Sequence, residues 1–266
     1  MRELSIEEIH NLILGIAKEF AHICEVEQIP YYMLGGTMLG AIRHKGFIPW
    51  DDDMDFGVPI HYFPRLIEAL NQNLGPLYRC CTINNCSSVF FPFIKIEHTG
   101  TILDDSQIPL PLEEKIGLNI DVFPLVECAP KDLTIRKIWF FCRLYGFLFT
   151  DSRRRGRGVN SIKHVMRIIC PWSKYQVYDY LKELMCHVKG EGYIANIFGR
   201  WKEKEIIPKE WYGNNTLYIF EDALFGGIKE YDKYLKNLYG DYMKLPPIEQ
   251  RVICHANFVF YRQSPD

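Results

Sequence analysis

No uninterrupted apolar run reaches the roughly 18 residues that a membrane-spanning helix needs. The nearest, "IWFFCRLYGFLF" at 138–149, is too short and carries Arg143. The N-terminus, "MRELSIEEIHNLILG", lacks the basic, then apolar, then small-residue order of a signal peptide. A strong charge of either sign is also missing. The formal net charge of -2 gives no global field that would favour nucleic acid or a membrane. The nine cysteines are odd in number and contain no CxxC pair, so they read as reduced thiols in a cytoplasmic protein. Cys80, Cys81, Cys86 and His98 lack the spacing of a zinc site. There is no internal repeat and no low-complexity tract. Apolar residues are plentiful at 48%, enough for a substantial core in 266 residues.

The pattern is mixed α/β at first. Ser5 and Glu8 form a candidate capping box ahead of Ile6, Ile9, Leu12, Ile13, Ile16, Phe20 and Ile23 at helical spacing, which predicts a helix over 5–26. "YYML" reads as a short strand, "TMLGAIRH" as a short helix, "DMDFGV" as a strand and "YFPRLIEALNQNL" as a helix. "SVFFPFIKIEHT" and "LNIDVFPLV" are further strands. After Pro130 the texture becomes basic, aromatic and helical, broken by "DSRRRGRGVN" as a hinge or exposed excursion; "KEYDKYLKNLYGDYMKLPP" reads as a last helix. The expected organisation is a catalytic core over 1–130 and a helical, aromatic-rich accessory region over 131–266.

One stretch concentrates the chemistry. In "YYMLGGTMLGAIRHKGFIPWDDDMDFGV", two glycines precede four acids. Strand phase puts Asp53 and Asp55 on one face, with Met54 and Phe56 directed to the layer behind. Neighbouring carboxylates repel unless a proton or cation offsets them, and oxygen ligands suit Mg²⁺ or Mn²⁺. Asp121, a lone acid in an apolar strand, is the expected third member, because a buried carboxylate without a partner is costly. Gly35 and Gly36 allow close backbone approach to a phosphate. A helix starting near Thr37 would aim N–H groups at it, with Arg43 and Lys45 adding charge. Each element has a bland alternative, a structural turn or a solvated acidic loop; their combination is far more specific.

The segment "LGGTMLGAIRHKGFIPWDDDMDFGV" resembles the signature of the LicD family, within the nucleotidyltransferase superfamily of polymerase-β-like fold, and "IDVFPL" and "YLKNLYGDYMKLPP" match two further family segments. The resemblance implies a mixed sheet flanked by helices with a helical C-terminal part. It also implies transfer of a phospho-alcohol, by default phosphocholine, from a CDP-activated donor to a hydroxyl of a cell-surface glycan or its precursor. Fukutin-related proteins are similar in this segment. Carried over, Asp53 and Asp55 are metal ligands and Asp121 a third ligand or a general base. Gly35, Gly36 and Thr37 hold donor phosphate, and Lys95 is a basic residue facing it. Asp51 and Asp52 belong to the matching run without an assigned role. "FEDALFGGIKEYD" departs from the family's proline-bearing version after Phe220-Glu221.

Other features have competing readings. "RRRGRG" at 153–158, together with 138–149, could place the protein at the inner face of a membrane, or be a solvated loop. His255 could be a base or a core histidine. Trp201, Trp211, Tyr212 and Tyr218 could line a cationic head-group pocket or simply pack, and Tyr239, Asp241 and Tyr242 could contact substrate or cap a helix. No nucleic-acid partner is expected. Two alternatives stay open: nucleotidyl transfer to a small hydroxylated acceptor, and nucleotide binding without catalysis.

Overall fold

A computed structural model describes residues 2–103, 115–149, 157–214, 216–251 and 259–261. The first helix, α1 (Ile6–Val26), begins at Ser5, whose hydroxyl accepts from the Glu8 amide while the Glu8 carboxylate accepts from the Ser5 amide. Its apolar stripe, including Ile13, Ile16 and Phe20, is buried in the main core. Burying each such side chain contributes roughly 1.5–3 kcal/mol. Phe20 packs on Phe56 and Tyr31, with ring centroids 5.1 and 5.3 Å away.

There follow β1 (Tyr32–Met33), α2 (Gly35–Arg43), β2 (Asp55–Pro59), α3 (Phe63–Asn73), β3 (Tyr78–Cys81), β4 (Ile94–His98), β5 (Thr101–Leu103) and β6 (Asn119–Cys128). Three helices come next: α4 (Leu133–Phe149), α5 (Arg157–Ile169) and α6 (Lys174–Cys186). The chain then returns to the sheet with β7 (Tyr193–Asn196), β8 (Ile206–Pro208), the short α7 (Lys209–Tyr212), β9 (Thr216–Phe220) and β10 (Ala223–Gly227), before α8 (Tyr231–Tyr239) and β11 (Val259–Tyr261).

Among the described residues nine strands form one mixed sheet in the order β3-β4-β6-β2-β1-β10-β9, with β7 and β8 joined through β6. β2 and β6 run parallel, whereas β1 with β2 and β4 with β6 are antiparallel. This is the expected mixed α/β architecture. The expected helical texture after Pro130 holds for α4, α5 and α6, which includes part of the "DSRRRGRGVN" segment; residues 151–156 lie outside the described residues. The later strands β7–β10 are a difference: β10 pairs in parallel with β1 at Met33–Gly227, so sequence from both sides of residue 130 shares one sheet. These strands are short and turn-linked, and their period-2 signal is weak beside the aromatic content.

β6 is the organising strand. Asp121–Leu125 pair with β2 along one edge. On the opposite edge its first half pairs with β4 and its last four residues, Leu125–Cys128, pair with β7. The β9–β10 hairpin is tied to the loop after α2. The Glu221 amide donates to Lys45 O at 2.7 Å, and the Phe47 amide donates to the Glu221 carboxylate at 3.0 Å. The Phe220-Glu221 pair is thus a structural fastening at a turn in which Glu221 adopts φ +53°. A second core, from α4, α6, β7 and the end of β6, holds Ile138, Trp139, Tyr145, Leu148 and Leu181.

Candidate active site

The sheet register brings the predicted acids together. Asp55 is the β2 partner of Asp121, and Asp121 is in turn the β4 partner of Lys95. Paired residues on adjacent strands direct their side chains to one face, so the three form a row across the sheet. Asp53 precedes the strand rather than lying in it, since β2 begins at Asp55. Met54 and Phe56 are fully buried, as the alternation requires. Asp51, Asp52, Asp53, Asp55 and Asp121 all border a cleft of about 610 Å³.

Burial raises the Asp55 carboxyl well above the ordinary carboxylate range, and the charges of Asp53, Asp121 and Asp51 push it the same way, against the Lys95 ammonium. Lys95 forms an ion pair with Asp121 and donates to Asn119 Oδ1 at 3.1 Å. Among the described residues no three Asp, Glu, His or Cys side chains stand close enough, as placed, to hold a metal ion together. The donor set is nonetheless all oxygen and its mutual repulsion calls for positive charge, which is the chemistry of a hard divalent cation. In this conformation the Lys95 ammonium meets that demand at Asp121.

The two glycines line the same cleft as the acids. α2 starts at Gly35, two residues earlier than expected. Gly35 has φ +47°, and its amide donates to the Tyr234 hydroxyl at 2.9 Å. A Cβ on Gly36 would come 2.8 Å from Asp51 Oδ2, so a glycine there lets Asp51 lie across the helix start. Thr37 departs from its expected place at donor phosphate. It is buried, absent from the cleft wall, and its hydroxyl accepts from the Asp55 amide at 2.7 Å, fixing the first residue of β2. Arg43 is also off the wall: its Nη1 donates to Tyr242 O at 2.8 Å and its Nε to His44 Nε2. Lys95 does line the cleft. His255 lies outside the described residues.

The rest of the cleft, beyond the acids and glycines, was largely hidden in the sequence. Asn196 at the end of β7, Phe198, Trp201, Glu205 and Tyr239 line it. Burial pushes the Glu205 carboxyl up to about 7, opposed by hydrogen bonds from the Trp201 amide and the Asn196 side chain. Asn196 Oδ1 is buried without a partner, an arrangement that asks for a hydrogen-bond donor. Trp201 and Tyr239 meet edge-on at 5.5 Å. Of the four aromatics singled out for a cationic pocket only Trp201 is on this wall; Trp211, Tyr212 and Tyr218 pack against the main core. Glu205 sits in "RWKEKEII", a charged run that reads as a solvated face, and only the β7–β8 hairpin turns it inward.

Residues 28–140 match the family model LicD/FKTN/FKRP, nucleotidyltransferase domain. The chain carries a LicD-family domain. Similarity extends beyond that segment: the chain is 28% identical over 94% of its length, and 96% of the relative's, to the lipopolysaccharide cholinephosphotransferase LicD of Haemophilus influenzae. Over 42 residues it is 40% identical to the human ribitol 5-phosphate transferase FKRP, of which it covers 8%. An uncharacterized protein of Rickettsia prowazekii is 42% identical over 43 residues. Apart from Asp121 and Lys95, the acidic wall, with its two glycines, falls in the first part of the LicD domain; the Glu205 wall lies beyond it.

Proposed function

We propose that this LicD-domain protein is a phosphotransferase that moves a phospho-alcohol, by default phosphocholine, from a CDP-activated donor to a hydroxyl of a cell-surface glycan or its precursor. The observation that carries the reading is the in-register row Asp55–Asp121–Lys95 facing the Gly35-Gly36 turn in one cleft. The cholinephosphotransferase named among its relatives supports the choice of phosphocholine.

Asp53 and Asp55 would hold a Mg²⁺ or Mn²⁺ ion, with Asp51 beside them. Such an ion, when bound, supplies neutralisation of phosphoryl charge. Gly35 and Gly36 give the diphosphate close access to the start of α2. Lys95, steadied by Asn119 and Asp121, presents an ammonium to the phosphoryl oxygens. Asp121 is the carboxylate assigned to receive the proton of the attacking hydroxyl. The hydroxyl oxygen bonds to the phosphorus bearing the alcohol, the bond from that phosphorus to the bridging oxygen breaks, and CMP leaves with the electron pair. Positioning and electrostatics supply most of the acceleration in such transfers.

The Glu205 wall suits the alcohol. The Glu205 carboxylate beside the Trp201 and Tyr239 rings offers charge and π-faces to a quaternary ammonium. Trp201 already draws Lys204, whose Nζ lies 5.4 Å from the ring centroid. The unpartnered Asn196 Oδ1 can accept from a substrate hydroxyl. The eight free cysteines among the described residues support a reducing, cytoplasmic setting.

The test is incubation with CDP-choline, CDP-glycerol and CDP-ribitol, each with Mg²⁺ and candidate glycans. Release of CMP with transfer to the glycan is expected, and chelation should abolish it. Pyrophosphate release from CTP with a nucleotidylated acceptor would favour nucleotidyl transfer instead.

A further inference from the structure

Helix α8 brings two tyrosine hydroxyls to the glycine that starts α2. Tyr234, buried in the main core, accepts the Gly35 amide hydrogen at 2.9 Å. That donor is thereby withdrawn from the cleft, although the first amides of a helix are the groups that ordinarily meet an anion. Tyr239, at the end of the same helix, reaches the same glycine from the cleft side. A Cβ on Gly35 would lie 3.6 Å from Tyr239 Oη and 3.8 Å from Asp55 Oδ2. The glycine thus leaves a methyl-sized opening, bordered by a phenol on one side and a carboxyl on the other.

The chemistry of that opening is selective. Ionised carboxylates only accept hydrogen bonds and repel an anion, so Asp55 and Asp51 cannot by themselves hold a phosphate oxygen there. Tyr239 is neutral at ordinary pH and carries one O–H donor. Its oxygen already accepts a hydrogen bond from the Trp201 side chain, and an indole can only donate. The phenol's own hydrogen is therefore left over from that pair, and no acceptor among the described residues takes it. The ring is held in place, edge-on to Trp201 with centroids 5.5 Å apart, so the hydroxyl stands at a fixed point over the glycine. Tyr234 spends its hydroxyl on the backbone; Tyr239 turns its own to the cleft.

We propose that the Tyr239 hydroxyl donates to a non-bridging oxygen of the diphosphate held over Gly35, supplying the hydrogen bond that the Gly35 amide gives to Tyr234 instead. The identity of that diphosphate rests on the phosphotransferase reading. Tyr239→Phe keeps the ring and removes the hydroxyl alone. Titration calorimetry of the full chain with CDP and with inorganic pyrophosphate, each with Mg²⁺, should show Kd raised about tenfold or more, as for a lost hydrogen bond to a charged group. CMP release from a CDP-alcohol should slow by a similar factor. Melting temperature and circular dichroism should match the wild type, because Trp201 is 36% exposed and its indole can turn to water. An unchanged Kd for both probes, a lowered melting temperature with Kd kept, or a wild-type chain that binds neither probe would overturn the proposal. A variant that fails to fold would assign the hydroxyl to structure and overturn it as well. The two readings separate cleanly. CMP release that Tyr239→Phe leaves unaltered removes the hydroxyl and keeps the phosphotransferase. Weakened probe binding in the variant, with no CMP release from any CDP-alcohol, keeps Tyr239 at a phosphate and removes the transfer.

Discussion

The two walls of the cleft are built on different terms. The acidic wall rests on consecutive sheet strands, and its side chains are placed by register: Asp55 beside Asp121, Asp121 beside Lys95. The second wall takes Asn196 from a strand end, Trp201 from a turn, Glu205 from a short 3₁₀ helix and Tyr239, whose hydroxyl lies near Gly35, from the last residue of α8. The first wall concentrates like charges that resist one another, the second isolates a single carboxyl among aromatics. Register suits groups that must converge on one point, as the proposed transfer requires. A mosaic of turns can vary without disturbing the sheet, which suits the recognition role proposed for it.

Substitutions on the two walls should therefore fail in different ways. Asp53→Asn has the largest expected effect: turnover falls about 10³-fold or more while the melting temperature is held or rises, since a repulsive charge is removed. Steady-state assay and calorimetry check it, and retained turnover would remove Asp53 from the machinery. Thr37→Val comes next. It leaves the buried Asp55 amide without its acceptor, which costs about 1–3 kcal/mol of stability. It should also lower kcat roughly 10–100-fold with little change in KM, because Asp55 loses its anchor.

Glu205→Gln is the mildest and marks the second wall. KM for a CDP-choline donor should rise about tenfold with kcat nearly kept, and the rise should shrink for an uncharged alcohol such as glycerol. The same variant has a pH signature. With the carboxyl raised from 4.5 to about 7 in the folded protein, its contribution to stability is present in full below pH 4.5 and is lost as pH rises through 7. Wild type should lose up to about 3 kcal/mol over that window, by the linkage between shift and free energy. Glu205→Gln should not lose it, and denaturant midpoints across pH measure the difference.

The same contrast explains what could be read without coordinates. Asp55 and Asp121 were legible as neighbours because a strand pattern and an isolated acid in an apolar run are local signals, and the sheet only had to bring two such strands together, whereas the strand expected to carry Asp53 begins two residues later. Ser5 and Glu8 announced α1 for the same reason. Thr37 and Arg43 were misplaced because a residue near a phosphate cradle can equally serve the backbone behind it. Which applies depends on contacts 18 residues away for Thr37 and 199 away for Arg43. Glu205 and Asn196 gave no signal, since a glutamate in a lysine-rich run changes meaning only when the β7–β8 hairpin that carries it closes. The strands β7–β10 were missed for a related reason: each is five residues or fewer, and their pairing with β1 and β6 is non-local.

The long strand β6 has one more effect. It bears Asp121 in its first half and seats β7, which ends in Asn196, against its last four residues. Asn196 pairs with Leu125, four residues along the same strand from Asp121, so one stretch of backbone sets the spacing of the two residues. Asn196 cannot move away from Asp121 without breaking ladder hydrogen bonds. On the proposed function, that spacing would make the choice among donors a measurement of length as much as of charge.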